Sequence, residues 1–372
     1  MYILENKIEE VLRFFISQND FTIIKTNRDV YYNTELLEFN DLLSASFIKL
    51  NEEIYLILIL KNSKLLINKS LKIIQKFPKN YLFYEAIDNS RKLISINTKF
   101  NPDGSIEYNW VVLDILENKI VKDLHLKGNI FGFYYTFQDT IIYSTDNTKV
   151  IISAFDYIKN QTLWQFNLTN LGYFVDALSQ NEKKVYKVLH IFGIWQEEFI
   201  IACSYGLILC LDVNTGKEKR RFQEIPKINS DSFIEGLIPN AESFVLDKEQ
   251  SKLIGAFHKY YFEIDLITNK ISFQDIKDEL QNYYIYFINN VKNHPFTETH
   301  LYITAKSKQY INDKELQADC LVALNRTTKK IDWIHYFKEA VVSGAPQLAG
   351  DRLYQLSKGD LYIFQKQETT IT

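Results

Sequence analysis

The chain has 372 residues, 46% of them hydrophobic and 24% charged, with a net charge of −3. That composition supplies enough apolar surface for a folded core and excludes an intrinsically disordered chain. The near-neutral balance leaves no electrostatic footprint for nucleic acid or for an anionic membrane, so neither is expected as a partner.

Ile8, Val11, Leu12 and Phe15 stand at helical spacing within Leu4–Gln18, and the spacing predicts a short amphipathic helix over residues 1–20 that packs on the rest of the chain. Charges at Glu5, Lys7, Glu9, Glu10 and Arg13 break the apolar run, so it is read neither as a signal peptide nor as a membrane span. Phe21–Lys25 and Val30–Asn33 read as strands, with Leu36–Phe39 a third. Strand-rich units follow at about 44–77, 81–126, 130–168, 186–223, 242–276 and 283–336, and about 345–366 has strand enough for an incomplete unit.

One hairpin recurs in these units. Its best copy is Gly206–Phe222: an apolar run ends in Asp212, a turn ending in Gly216 reverses the chain, and a second strand leaves through Lys217. Aligned on that anchor, the pattern returns at Asn68, Asp114, Asp156, Asp265 and Asn325, with an aromatic eight residues on at Trp164, Phe273 and Trp333. Anchors roughly 40–60 residues apart, joined by short strands, are the signature of a propeller with one four-stranded blade per repeat.

On these residues, and on Gly344–Phe364, the chain resembles pyrroloquinoline-quinone-type propeller repeats from about residue 44 to the C-terminus. The resemblance implies an all-β fold in which Trp164, Phe273 and Trp333 are inter-blade packing. We expect a single seven-bladed β-propeller over 21–372, with eight blades as the alternative, its ring closed by strands from 21–39 joining 345–366. The family's redox chemistry is not carried over. Quinone-dependent dehydrogenases of this type are exported, pair adjacent cysteines and hold calcium with carboxylates, whereas Cys203, Cys210 and Cys320 are never adjacent and no export signal is read. The outer-membrane assembly lipoprotein of similar fold needs a lipid-modified N-terminal cysteine, which this sequence lacks. The three cysteines read as buried free thiols of a reducing cytoplasm. With Tyr205-Gly206 as the hairpin tip, Cys203 faces Ile208 and Cys210 faces Ile201.

With strands a to d in each blade, the b–c and d–a connections share one rim, and the a–b and c–d turns share the other. The Asp-anchored turns are c–d turns. Thr169–Lys184, Lys227–Asn240, Asp275–Asn282, Thr98–Glu107 and Lys306–Ala318 are long connections on the opposite rim, where long loops carry binding sites. Its aromatic and acidic residues Tyr173, Phe174, Asp176, Phe233, Glu235, Tyr310 and Asp313 form the candidate partner-binding set.

Catalytic constellations are missing from the sequence pattern. His125, His190, His258, His294, His300 and His335 are spread over four units, and His294 and His300 flank Pro295-Phe296 without a glutamate at zincin spacing. There is no nucleophile elbow, phosphate loop or dinucleotide fingerprint. Lys217, Lys219, Arg220 and Arg221 read as a solvated basic face. The expectation is a non-catalytic cytoplasmic protein-binding propeller of bacterial type, with no metal and no cofactor. Its partner is another protein, in one concrete form a toxin capped by an immunity protein. The rival is an enzyme or small-ligand receptor using the central channel, recognised by convergent carboxylates or histidines on the innermost strands.

Overall fold

Where the sequence predicts a helix, the computed structural model has two strands, Tyr2–Ile8 (β1) and Val11–Ser17 (β2), parted by Glu10 at φ 60°. The structure describes residues 1–17, 20–27, 29–33, 35–39, 41–50, 53–86, 90–126, 134–144, 149–176, 182–223, 241–289, 291–311, 314–337 and 342–367. They form eight four-stranded antiparallel sheets, an eight-bladed β-propeller arrangement. Two compact units divide the chain.

The first unit takes Leu12–Ile191 and Asn214–Lys217. Blade 1 joins β2 to Asp20–Lys25 (β3), Val30–Tyr32 (β4) and Glu35–Leu36 (β5). Blade 2 is Leu42–Leu50 (β6), Glu53–Leu60 (β7), Ser63–Ile67 (β8) and Ile73–Pro78 (β9). Blade 3 is Tyr81–Ala86 (β10), Lys92–Phe100 (β11), Ile106–Asp114 (β12) and Lys119–Asp123 (β13). Blade 4 is Tyr134–Phe137 (β14), Thr140–Ser144 (β15), Ile151–Asp156 (β16) and Gln161–Asn167 (β17). A separate two-stranded ribbon follows, Tyr173–Asp176 (β18) with Glu182–Val185 (β19).

The second unit takes Met1–Val11, Phe192–Val213 and Glu218–Thr372. Blade 5, assigned here by most of its residues, is Val188–Trp195 (β20, of which 188–191 fall in the first unit), Glu198–Cys203 (β21), Leu207–Asp212 (β22) and Glu218–Phe222 (β23). Blade 6 is Val245–Asp247 (β24), Lys252–Phe257 (β25), Tyr260–Asp265 (β26) and Ile271–Asp275 (β27), followed by the helix Lys277–Asn282 (α1). Blade 7 is Ile285–Ile288 (β28), His300–Ile311 (β29), Lys314–Asn325 (β30) and Ile331–Tyr336 (β31). Blade 8 is Val342–Ala349 (β32), Arg352–Ser357 (β33), Asp360–Lys366 (β34) and the N-terminal β1.

The side-chain oxygen at each anchor explains the sequence repeat. Asp156 Oδ1 accepts from the N–H of Ile158 at 2.9 Å and Lys159 at 2.8 Å, and Asp265 Oδ1 from Ile267 at 2.9 Å and Thr268 at 2.7 Å. Asn325 Oδ1 does the same with Thr327 at 2.9 Å and Thr328 at 3.0 Å. A carboxylate and a carboxamide both offer that acceptor, so either closes the turn. The turn then needs a left-handed residue, and Asn118, Asn160, Gly216, Asn269 and Lys329 hold φ between 47 and 68°. At Gly216 a Cβ would lie 2.4 Å from Trp164 Cε3, so the aromatic eight residues after Asp156 is indeed packing, laid over the next turn. Trp333 likewise packs on Tyr2 at 5.5 Å and Phe364 at 5.2 Å between ring centroids. In blades 2, 3, 4, 5 and 7 the ladder shifts just before the anchor, for example between Val112 and Leu113. Such a bulge twists the outer strand against its neighbour.

The core lies between consecutive blades. Ile94, Trp110 and Val112 of blade 3 meet Ile141 and Phe155 of blade 4, and Ile200 and Ile208 of blade 5 meet Tyr260 and Phe262 of blade 6. Cys203, Cys210 and Cys320 are buried free thiols, and burial pushes all three thiols up. Cys203 pairs with Leu207 and Cys210 with Ile200, one residue from the expected register, because three residues rather than two turn the hairpin.

Three expectations are corrected. Residues 1–17 are strands because Tyr2, Ile3, Phe14, Phe15 and Ile16 favour a sheet, and a helix would leave the edge of β34 unpaired. The closing strand of blade 8 is β1, paired from Tyr2–Lys366 to Ile8–Leu361, and not a strand from 21–39. Those residues instead complete blade 1 with β2, so of the two expected counts the eight-bladed alternative holds and seven does not.

Deleting Met1–Ile8 exposes the β34 edge and empties the Tyr2 site against Tyr302 and Trp333. We expect the truncated chain to melt several degrees below the full chain, and Tyr2→Ala alone to cost about 3 kcal/mol in urea unfolding. Equal melting of the truncated and full chains would contradict this closure.

Candidate functional site

The long connections of the sequence are largely β-structure. Thr98–Glu107 is the end of a hairpin in which β11 and β12 pair without a break from Lys92–Asp114 to Phe100–Ile106. Its tip is built by Asn101-Pro-Asp-Gly-Ser105: Asp103 Oδ1 accepts from the Ser105 N–H at 2.9 Å and its hydroxyl at 2.6 Å, and Gly104 takes φ +82°. Thr169–Lys184 holds a 3-10 turn over Leu168–Leu171, capped by Asn167, and then the ribbon β18–β19. Lys306–Ala318 is the outer part of the twelve-residue strands β29 and β30, paired out to Ile311–Lys314. Excising it removes ladder pairs, contrary to the reading of it as a loop. Asp275–Asn282 is mostly α1, and Lys227–Asn240 lies outside the described residues.

The elaborated ends are therefore the b–c hairpins of blades 3 and 7 and the d–a ribbon after blade 4. The c–d turns are short. One a–b connection, 289–299, breaks the expected asymmetry, and it is packed inward at His294.

Of the expected partner-binding residues, Tyr173 is 66% exposed on the ribbon and Phe174 packs on Tyr186 at 5.1 Å between ring centroids. Asp176 ends β18 opposite Glu182, and Tyr310 lies in β29 opposite Glu315. Phe233, Glu235 and Asp313 lie outside the described residues. Tyr173, Phe174 and Asp176 share one strand of the first unit, whereas Tyr310 belongs to the second.

A feature missed in the sequence stands at the foot of the β11–β12 hairpin. Blades 2 and 3 enclose an open cleft of about 570 Å³ lined by Asn62, Pro78, Lys79, Asn80, Asn97, Thr98, Lys99, Phe100 and Asn109. Asn97 and Asn109 are direct cross-strand partners. Asn80 Nδ2 donates to Asn97 Oδ1 at 2.5 Å and to the Thr98 carbonyl at 3.2 Å, while the Thr98 N–H and hydroxyl each donate to the Asn80 carbonyl at 3.0 Å. Buried Lys64 of blade 2 donates to the Tyr81 carbonyl and lies 5.4 Å from the Phe83 ring centroid, tying the wall to the neighbouring blade. Burial pushes its ammonium pKa down. No residue class singles out this cleft in sequence, because its four asparagines come from four separate segments of an asparagine-rich chain.

The titratable clusters elsewhere are structural ties. Arg220 of the basic run is not a solvated charge: it bonds Glu198 at 2.7 Å and lies 5.4 Å and 5.6 Å from the Trp195 and Phe222 rings. Arg326 pairs with buried Asp247 and donates to the Thr297 carbonyl. Thr299 Oγ1, His300 and Asp332 form a chain at 2.8 Å and 2.9 Å, continued by Asn325 at 2.9 Å, which braces the last turn of blade 7. Among the described residues no group of three or more His, Cys, Asp or Glu is placed to hold a metal, and no helix is long and apolar enough to cross a membrane.

No protein-family model and no curated protein matches the sequence. Solved structures share the fold. A computationally designed protein, Ika8, is 12% identical over 97% of this chain and 98% of its own, with a TM-score of 0.53. BamB from Moraxella catarrhalis is 11% identical over 100% of both chains, with a TM-score of 0.52. The C-terminal WD40 domain of Sif2 is 8% identical over 99% of both chains, with a TM-score of 0.53. The chain thus has a β-propeller fold, shared with these structures.

His294 sets an acid limit on stability. It is 1% exposed, and burial, only partly offset by the Tyr302 backbone, pushes its pKa from 6.5 down to about 4. Its folded-state pKa is depressed, so the unfolded chain takes up the proton first, and stability falls as pH drops from 6.5 toward 4. Asp265, held low by the Thr268 N–H, and Asp332, held low by the Asn325 amide, add a further loss below their ordinary 3.8. We expect urea midpoints to fall from pH 6.5 to 4, and His294→Leu to flatten that part of the profile while leaving the fall below pH 4. An unchanged slope in His294→Leu would contradict the assignment.

Proposed function

We propose that this chain is a non-catalytic protein-binding propeller that docks its partner on the b–c and d–a ends of the first unit. The observation that carries the reading is where the chain spends extra residues. In that unit the c–d turns close in a few residues on their anchor oxygens, whereas the β11–β12 hairpin, the β18–β19 ribbon and the asparagine-lined cleft all build on the other end. The ribbon offers exposed Tyr173 and Val175 beside Lys183, a mixed aromatic and cationic face of the kind interfaces use. A propeller fold shared with BamB and a WD40 domain is consistent with protein binding. A cytoplasmic bacterial immunity protein that caps a toxin is one form of this reading.

The test is a photo-crosslinker placed at Tyr173, at Phe100 and, as control, at Ile158 in the c–d turn of blade 4. One partner captured from native lysate through the first two positions and not the third is the expected result, and replacing Tyr173–Val185 by a Gly-Ser link should weaken its binding by about 2 kcal/mol or more. The ribbon belongs to no four-stranded blade, so this replacement should leave the melting temperature nearly unchanged. Capture through Ile158 alone would refute the assignment of the docking end.

A further inference from the structure

We infer that the cleft between blades 2 and 3 takes an extended acidic segment of a protein partner, its main chain held by asparagine amides and its carboxylates by Lys79 and Lys99. This rests on the protein-binding reading above and names the segment that the reading leaves open. A carboxamide presents one carbonyl and one NH2 group, the same pair a neighbouring strand offers to a peptide unit. Asn80 uses its NH2 on Asn97 and on Thr98, which leaves the side-chain oxygen Asn80 Oδ1 and the side-chain nitrogen Asn97 Nδ2 outside these bonds. The side-chain amides of Asn62 and Asn109 make no hydrogen bond among the described residues. Four such amides around one cleft satisfy an extended chain without reading its sequence.

Charge narrows the class. Lys79 and Lys99 line the cleft and neither is ion-paired among the described residues. No carboxylate lines it, and Glu107, opposite Lys99 across the strands, forms no ion pair with it. The two cations therefore favour carboxylates on the ligand. Phe100, 66% exposed at the mouth, supplies one apolar contact. A neutral glycan is served less well, because no acid accepts from paired hydroxyls. The Thr98–Asn80 bonds and the Lys64 tie hold the walls before any ligand arrives, which lowers the entropic cost of binding.

The experiment titrates the full chain into a fluorescein-labelled, N-acetylated and C-amidated heptapeptide of alternating aspartate and leucine, read by anisotropy. Saturable binding that weakens with salt is expected, with a loss of about tenfold or more in Lys79→Glu/Lys99→Glu and again in Asn97→Leu/Asn109→Leu. The same peptide N-methylated at alternate amides should not bind. The lysine pair is exposed and carries the test if the asparagine pair impairs folding. Failure of the acidic peptide to bind, equal binding of the methylated peptide, or displacement by maltotriose would each overturn the inference. If a partner captured at Tyr173 binds Lys79→Glu/Lys99→Glu as tightly as the parent chain, this inference falls while the protein-binding reading stands. Peptide binding at the cleft without any capture at Tyr173 or Phe100 would do the reverse.

Discussion

A single acceptor oxygen, set one strand from the outer edge in blades 3, 4, 6 and 7, is the constraint on which the repeat of this structure depends. The oxygen of Asp114, Asp156, Asp265 or Asn325 gathers backbone N–H groups that would otherwise go unpaired at the turn, and so decides where the third strand stops. Once it stops there, the left-handed residue and the bulge follow, and the outer strand leaves at a twist that carries its aromatic onto the next blade. Trp164 over Gly216 is the clearest instance: turn geometry and inter-blade packing are one requirement.

That economy at one end contrasts with the other. Connections that carry no closing turn are free to lengthen, and lengthening as paired strands costs no unsatisfied backbone. The β11–β12 hairpin gains its reach this way, and the cleft at its foot exists because Asn80, Thr98 and the Lys64 tie fix two blades side by side. The cleft offers amide hydrogen bonds and positive charge, and no carboxylate, histidine or cysteine lines it.

Much of the fold was legible in the sequence. Six blades were placed to within a few residues because the anchor, the turn and the aromatic are short-range signals that repeat. The N-terminus was misread because Ile8, Val11, Leu12 and Phe15 satisfy a helical period by coincidence, while the partner that makes residues 2–8 a strand, β34, lies at the far end of the chain. Lys306–Ala318 was misread because its sequence is mostly polar and charged, with Asn312-Asp313 at its centre, and no apolar alternation marks a strand. The site was less legible. The exposure of Tyr173 follows from its place in a long connection, but the asparagine cleft depends on segments 62, 78–80, 97–100 and 109 meeting in space, and asparagines are too common here to stand out.

The central claim is that recognition takes place on the b–c and d–a ends of the first unit. Amide hydrogen exchange of the full chain, alone and with its captured partner, tests it most directly. The account predicts slowed exchange in residues 79–80, 97–109 and 173–185 and none in the c–d turns at 114–119 and 156–161. Protection confined to those c–d turns, with the hairpin and ribbon unchanged, would contradict it.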